Sequence, residues 1–469
     1  MRRLPCITLP LTVLAIGLSP IVLAASPTVA ELVQMMQRHH PEYLAIQART
    51  DQVGGERDEA EATFDLNLAQ ETYARPSGYY DGAYAEQRIV QPLQAMNARV
   101  FGSYRISTGN FPVYESNYET LDLGEASLGV TLSLLQNRET DKRRIARLTA
   151  AWRYMEAESK QLAQLNKLIY AGVSAYLSWY QSHQKLSVVR DLVSLTQSRL
   201  NGVQTRVHSG DLAQINLTEF ETTLLRRQLL EREAHQRFEL ARQNLSYFWR
   251  TVDAPGYQGD AIDAPPTDIQ WPFAVSNASN TGFKEAIDAH PGLEVLAAKV
   301  AQARNKRRLA QNETLPQLDL ELKLARDLGE GTDALTGTES IMGLSFFMPL
   351  GQRAAKAREA IAEAQIRSLE YDQQVLREQL HRDLDLSFSA LRYARHILSL
   401  SQQQEALAET LLSQERARFD EGVSDQFLLI AREKTTLEAR LKTIDAKVDV
   451  LRHELALNAT LASLHDGIR

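Results

Sequence analysis

Two very long stretches of the chain repeat apolar residues at steps of three and four, which is the spacing of an amphipathic helix. The first, residues 139–207, carries Leu162, Leu165 and Ile169 on such a stripe. The second, residues 352–419, contains neither proline nor glycine, so nothing inside it breaks a helix. At 1.5 Å per residue, each stretch predicts one helix on the order of 100 Å long.

Each long stretch ends close to a glycine and is followed by a shorter helical pattern. Gly210 and Gly422 provide the stops, because glycine readily adopts the left-handed conformation that caps many helices. Return helices are predicted over residues 212–249 and 424–464.

Other segments alternate apolar and polar residues, which is the pattern of a strand with two unlike faces. In a predicted β-hairpin over residues 315–350, leucines alternate with Asp319, Glu321 and Lys323. A longer β-region is predicted over residues 64–136. Strands of about 9 to 11 residues can cross an outer membrane when tilted. A soluble sheet packed on helices is the alternative, since alternation alone does not distinguish lipid from a protein core.

The segment from residue 75 to residue 120 leaves two interpretations open. It is rich in tyrosine, glycine, proline and asparagine, and β-like pieces lie near residues 88–92 and 99–106. It forms either an extra hairpin or an enlarged extracellular loop, so the chain has four strands or six.

The elements recur in the same order in the two halves of the chain. His290-Pro291 answers His40-Pro41, and the turn ending at Gly422 answers the turn ending at Gly210. We therefore predict a tandem duplication of helix, β-hairpin, long helix, turn and return helix. The predicted boundaries are 25–250 for the first repeat, 251–281 for a connector rich in proline and glycine, and 282–469 for the second repeat.

The N-terminus has the layout of a cleavable secretory signal, predicted over residues 1–24. Arg2 and Arg3 precede a short apolar stretch that ends in small residues. An uncleaved membrane anchor is the alternative. The only cysteine, Cys6, lies in this segment, so no disulfide is expected in the mature chain.

The charge balance and the residue types exclude several functions. The formal net charge of −7 makes a nucleic-acid partner unexpected. No later segment has the unbroken apolar span of about 20 residues that a transmembrane helix needs, so a membrane crossing would have to be β-structure. We find no nucleophile, acid pair or metal-ligand spacing, His39-His40 included, and expect no enzyme activity, cofactor or metal site.

The strand count favours an assembly of several copies. A membrane barrel has no open edges, and single-chain barrels begin at about eight strands. Long helices with an apolar stripe likewise bury it by coiled-coil packing against neighbours. The sequence therefore predicts an oligomeric tube.

These features together resemble the TolC-like outer-membrane efflux family over residues 29–464. The resemblance rests on the doubled order of elements, on the Arg-x-x-x-Gly turns ending at Gly210 and Gly422, and on Met348-Pro349-Leu350-Gly351 at a strand-to-helix junction. It implies a mainly α-helical chain with a membrane β-hairpin domain. Three copies would form a 12-stranded β-barrel in outer-membrane lipid, continued by a long α-helical barrel in the periplasm.

The resemblance also implies a function and partners. The trimer would be a passive exit duct for drugs, metals or secreted proteins, docked to a periplasmic adaptor (membrane fusion) protein and an inner-membrane transporter. The alternative is an adaptor-like, periplasmic coiled-coil protein. Such a protein should carry one helical hairpin flanked by small β-domains, whereas this chain has two with strands between them.

The resemblance places the two turns at a periplasmic tip where the channel closes. Asn216, Phe419 and Ser424 stand where the best-known member has an aspartate, a tyrosine and an arginine of its gate, so a different chemistry is expected here. The candidate tip residues are His208, Gly210, Asp211, Asn216, Phe419, Asp420, Glu421, Gly422, Ser424 and Asp425. Asp319, Glu321 and Lys323 are expected to face the barrel lumen.

Overall fold

The computed structural model describes residues 26–250, 256–257, 259, 262–275, 283 and 286–465. The predicted signal peptide and part of the predicted connector lie outside these residues. Two compact units are present. The first, here called the helical unit, comprises the described residues within 1–36, 172–271 and 403–448, and the second, the strand unit, comprises those within 37–171, 272–402 and 449–469.

Seven helices account for most of the described chain. In chain order they are α1 (Val29–His39), α2 (Pro41–Ala62), α3 (Lys142–His208), α4 (Gln214–Ser246), α5 (Pro291–Asn312), α6 (Arg353–Asp420) and α7 (Gln426–Thr460). The longest, α3 and α6, have 67 and 68 residues. Neither contains proline, and α3 accommodates two glycines, Gly172 and Gly202, in its interior. None of the described helices combines the length and apolar character needed to span a lipid bilayer.

Six strands form one antiparallel sheet in the strand unit, and neighbours along the chain are neighbours in the sheet. They are β1 (Asn67–Arg75), β2 (Gly82–Pro92), β3 (Arg99–Gly109), β4 (Glu125–Ser133), β5 (Gln317–Asp327) and β6 (Thr338–Phe347). The segment from 75 to 120 therefore contributes an extra hairpin, β2 and β3. A short 3-10 helix, Val113–Tyr118, lies in the connection to β4.

The prediction of a mainly helical chain with a β-sheet is confirmed, and the lower count of four strands is wrong. The extra hairpin was hard to recognise because its alternation uses small residues, such as Ala83 and Ala85, in place of leucines. Its turn requires two residues with positive φ, and Met96 and Asn97 adopt values of 55° and 48°.

Two histidine-proline pairs begin the helices that precede the strands. The Nδ1 atom of His40 accepts a hydrogen bond from the backbone N–H of Glu42 at 3.3 Å, and that of His290 accepts one from Gly292 at 3.0 Å. The following prolines occupy the first helical position, where a missing N–H costs nothing. Both pairs therefore act as N-caps of helices of 22 residues.

Each unit has its own apolar core. In the strand unit, Leu293 of α5 packs with Leu384 and Leu391 of α6 and with Leu457 of α7. In the helical unit, Leu200 of α3 packs with Phe220 and Leu224 of α4. These contacts lie on the apolar stripes of the long helices, as burial of an amphipathic face requires.

Candidate functional site

The helical unit contains two turns built in the same way, one between α3 and α4 and the other between α6 and α7. Gly210 has φ +81° and Gly422 has φ +76°, in the left-handed region. The N–H groups of Asp211 and Val423 donate to the carbonyl oxygens of Arg206 and Arg418, both at 2.9 Å. These bonds satisfy the last carbonyls of α3 and α6 and end the helices.

The polar side chains of the two turns make short-range hydrogen bonds. Asp211 accepts from the hydroxyl of Ser209 at 2.9 Å, and Asp425 caps α7 by accepting from the N–H of Leu428 at 2.8 Å. His208 Nδ1 lies 2.8 Å from the carbonyl oxygen of Gln204. Within the described chain, these side-chain bonds stay inside their own turn.

The remaining candidate tip residues fall into two groups. Asp420 and Glu421 are exposed, and in the part of the chain that the structure describes neither forms an ion pair. Asn216 and Phe419 are half-buried, and the hydroxyl of Ser424 donates to the carboxylate of Glu415. The second turn therefore carries three carboxylates, those of Asp420, Glu421 and Asp425, whereas the first carries Asp211 alone.

A buried charge cluster, here called the Glu433 cluster, lies further along the same helices. Glu433 of α7 is only 2% exposed. Its carboxylate pairs with Arg199 of α3, with Arg227 of α4 at 2.9 Å and, more loosely, with Arg416 of α6 at 3.7 Å. Arg227 also donates to the hydroxyl of Thr196.

One carboxylate thus joins all four helices that carry the two turns. Burial of a lone carboxylate is unfavourable, and the three guanidinium groups compensate for the lost hydration. Along α7, Glu433 lies about 12 Å from Asp425 at 1.5 Å per residue. The cluster is therefore close enough to fix the spacing of the helix ends.

The sequence carries one signal of the Glu433 cluster, which was not among the predicted site residues. Glu433 falls in line with Leu429, Thr436 and Ala439, which are all buried on one face of α7. A single charge on an otherwise buried stripe indicates a paired group, but the sequence does not show which residues pair with it.

The sheet of the strand unit has one polar and one apolar face. Arg105 of β3 and Lys323 of β5 both pair with Glu125 of β4, at 2.7 and 3.0 Å. The strand register places Asp319 and Glu321 on this same face, and Asp319 accepts from the hydroxyl of Ser133 at 2.8 Å. The three residues that we expected in a lumen therefore share one polar surface.

The opposite face of the sheet is apolar and exposed in the single chain. Leu128, Leu322 and Leu324 lie there together with Leu344 and Phe346, and they are 39 to 66% exposed. Such a continuous apolar surface indicates contact with lipid or with another protein.

In the described ranges, no group of three or more His, Cys, Asp or Glu side chains is arranged to hold a metal ion.

The fold of this chain is shared with several solved membrane proteins. VceC from Vibrio cholerae is 14% identical, with 92% of this chain and 96% of that chain covered and a TM-score of 0.65. The open state of the Neisseria gonorrhoeae MtrE outer membrane channel is 13% identical, with 94% and 90% covered and a TM-score of 0.65. A membrane protein from Pseudomonas aeruginosa is 15% identical, with 92% of each chain covered and the same TM-score. At these identities, the similarity establishes the fold.

Residues 283–463 match the family model described as outer membrane efflux protein. The resemblance to TolC-like outer-membrane efflux proteins that the sequence indicated is thereby confirmed. The predicted location in the outer membrane, with the helical part in the periplasm, is confirmed on the same grounds. No curated protein sequence matches the chain significantly.

Proposed function

We propose that three copies of this chain form the outer-membrane exit channel of a tripartite efflux or secretion system. The channel is a passive conduit that a periplasmic adaptor and an inner-membrane transporter open. The observation that carries this proposal is the sheet, which has an apolar face, a polar face and two unpaired edges within the described chain.

The edges of the sheet favour assembly with further copies. Every residue of β6 is exposed, and so is every residue of β1 except Arg75. Long exposed edge strands pair with other chains unless something covers them. Pairing between copies closes the sheet, puts the apolar face toward lipid and leaves the polar face toward water.

The surface of α6 supports the same assembly. Leu386, Tyr393, Leu400 and Leu407 recur every seven residues, and each is 61 to 66% exposed. A seven-residue apolar repeat is the seam of a left-handed coiled coil. In the proposed trimer, this seam packs against a helix of the next copy and completes a helical wall.

The two turns form the gate in this proposal. Their acidic residues line the narrow end of the duct, and the Glu433 cluster holds the four helices that lead to it. Because Asn216, Phe419 and Ser424 replace the polar gate residues of the best-known relative, the buried cluster takes over the task of holding the helix ends together.

The adaptor-like alternative is not favoured. An adaptor is expected to contain one helical hairpin, whereas this chain has two, α3 with α4 and α6 with α7. The matched family and the similar structures are also channels, which is consistent with a protein that is not an enzyme.

Placing a lysine on each face of β5 tests the membrane proposal. Leu322→Lys puts a charge on the apolar face and is expected to cost roughly 2 to 4 kcal/mol per copy near the membrane midplane. Glu321→Lys, the matched control, places the same side chain on the polar face. Trimers extracted from outer membranes should be lost for the first variant and kept for the second. Normal trimers of Leu322→Lys would show that the sheet is soluble.

A further inference from the structure

We infer that the barrel of this protein has eighteen strands, six from each of three copies, because the hairpin of β2 and β3 forms part of the wall. The inference rests on the proposed trimeric channel and concerns the width of its outer end. It departs from the twelve strands that the family resemblance implies.

The first observation is the pairing of the hairpin. All eleven residues of β2 pair with β3, and nine of them also pair with β1 on the other side. On its far side, β3 pairs with β4 over seven residues. The hairpin therefore separates β1 from β4, and the strands on either side of it do not contact each other as neighbours.

The second observation is that the hairpin has the same two faces as the rest of the sheet. The register places Ile89 of β2 and Ile106 of β3 on the face that carries Leu128 and Leu322. Both isoleucines are 47% exposed. Three glutamines, Gln70, Gln87 and Gln91, also lie on this face, and Gln87 donates to Gln70 at 3.4 Å. The mostly apolar surface thus continues across all six strands.

The third observation is a chain of charges on the polar face. Glu86 of β2 lies 3.9 Å from Arg105 of β3, which pairs with Glu125 of β4, and Glu125 pairs with Lys323 of β5. Arg105 and Glu125 are only 9% and 8% exposed. Folding the hairpin away from the sheet would separate Arg105 from Glu125, which is unfavourable for charges so little exposed to water.

The directions of the edge strands allow the sheets of three copies to close into one barrel. Because six is an even number and all neighbours are antiparallel, β1 and β6 run in opposite directions. The β6 strand of one copy can therefore pair in the antiparallel sense with β1 of the next copy. Such a head-to-tail contact closes into a ring when the rotation between copies is right.

Eighteen strands make a wide outer opening. With strands about 4.8 Å apart and tilted by about 40°, the backbone diameter is about 36 Å, compared with about 24 Å for twelve strands. Barrels of this larger size leave an aqueous channel. The outer end therefore does not limit the size of the cargo.

Cysteine labelling in native outer membranes tests the inference. The only cysteine of this sequence is Cys6 in the predicted signal peptide. A single cysteine introduced elsewhere is therefore the only thiol that can be labelled once that peptide is removed. The test variants are Ile89→Cys and Ile106→Cys, and the controls are Leu344→Cys on the apolar face and Ser345→Cys on the polar face of β6. Each is treated with a membrane-impermeant maleimide, before and after unfolding.

Lipid should protect the two test positions as well as position 344, while position 345 reacts. Labelling of positions 89 and 106 with protection at 344 would overturn the eighteen-strand barrel and leave the proposed channel intact. Labelling of all three would instead overturn the membrane channel itself. The two failures are thus distinguishable.

An excision variant gives a second measurement. The N–H of Asn110 donates to the carbonyl oxygen of Asp81 at 2.7 Å, so removing residues 82–109 joins two residues already in contact. Electron microscopy of purified trimers should show eighteen strands for the full chain and twelve for the excision variant. Twelve strands in the full-chain trimer would refute the inference whether or not the variant folds.

Discussion

The first and second halves of the chain agree in their helices and differ in their strands. The helices that precede the strands both have 22 residues, and the long helices have 67 and 68. The return helices have 33 and 35. Four strands belong to the first half, however, and two to the second.

This difference shows which lengths are constrained. An amphipathic helix that extended beyond its packing partners would expose its apolar stripe, which favours equal helix lengths in the two halves. A hairpin is different, since two added antiparallel strands return the chain to the end of the sheet from which it left. An even number of strands can therefore be added without changing where α3 begins.

The two turns show a second difference between the halves. Counted from Gly210 and Gly422, Glu433 corresponds to Glu221, which is exposed, and Arg227 corresponds to Ala439. The Glu433 cluster thus takes residues from both halves at positions that are not equivalent. The paired backbone turns are alike, while the buried charges that connect their helices are specialised.

Neutralising Glu433 and the corresponding Glu221 should produce the largest difference in local stability between the two halves. Glu433→Gln leaves three guanidinium groups near a buried site without their counter-charge, and a loss of about 3 to 5 kcal/mol in local stability is expected. Hydrogen exchange of the backbone amides around residues 196–227 and 416–436 measures it.

Glu221→Gln is the matched control, with an expected effect of about 0 to 1 kcal/mol because exposed charges contribute little. Equal effects of the two substitutions would mean that the cluster does not hold the helices. A large effect confined to Glu433→Gln would establish the specialisation of the second half.

The sequence predicted those parts of this comparison that depend on local pattern. An apolar stripe without proline placed α3, a stripe without proline or glycine placed α6, and the glycines at 210 and 422 placed the turns. The extra hairpin of β2 and β3 was left open by the sequence, because many of its alternating positions hold alanine, serine or glycine. The burial of such small residues depends on the neighbouring strands. The partners of Glu433 could not be foreseen, because the best-paired arginines lie 206 and 234 residues away along the chain.

The histidine caps should behave alike in the two halves, with an intermediate effect. Replacing either His40 or His290 by alanine removes the acceptor of an N-terminal N–H group, at an expected cost of about 1 kcal/mol. Hydrogen exchange in the first turns of α2 and α5 measures this cost. Unequal losses would mean that one histidine has a role beyond capping.

The cap at His290 also predicts a dependence on pH. Burial lowers the pKa of His290, an effect that the carboxylate of Glu294 partly offsets. Since the folded pKa is depressed, the contribution to stability is present above the ordinary histidine pKa of 6.5 and is lost as the pH falls through the folded value. His290→Asn keeps an acceptor that does not titrate, so it should remain stable between pH 7 and 5 where the natural protein weakens. Parallel pH curves for the two proteins would exclude the cap as the cause.

The acidic turns should give the smallest energetic effect and the sharpest functional comparison. Neutralising Asp420, Glu421 and Asp425 together removes three charges per copy from the second turn, whereas Asp211→Asn removes one from the first. In planar bilayers, each position neutralised in all three copies should weaken block by a multivalent cation by about 0.5 kcal/mol in total, or about twofold. The triple variant should therefore lose close to tenfold in blocker affinity and the single variant about twofold. If the two variants are blocked as strongly as the natural channel, these turns do not line the gate, and the narrowest point lies nearer the Glu433 cluster.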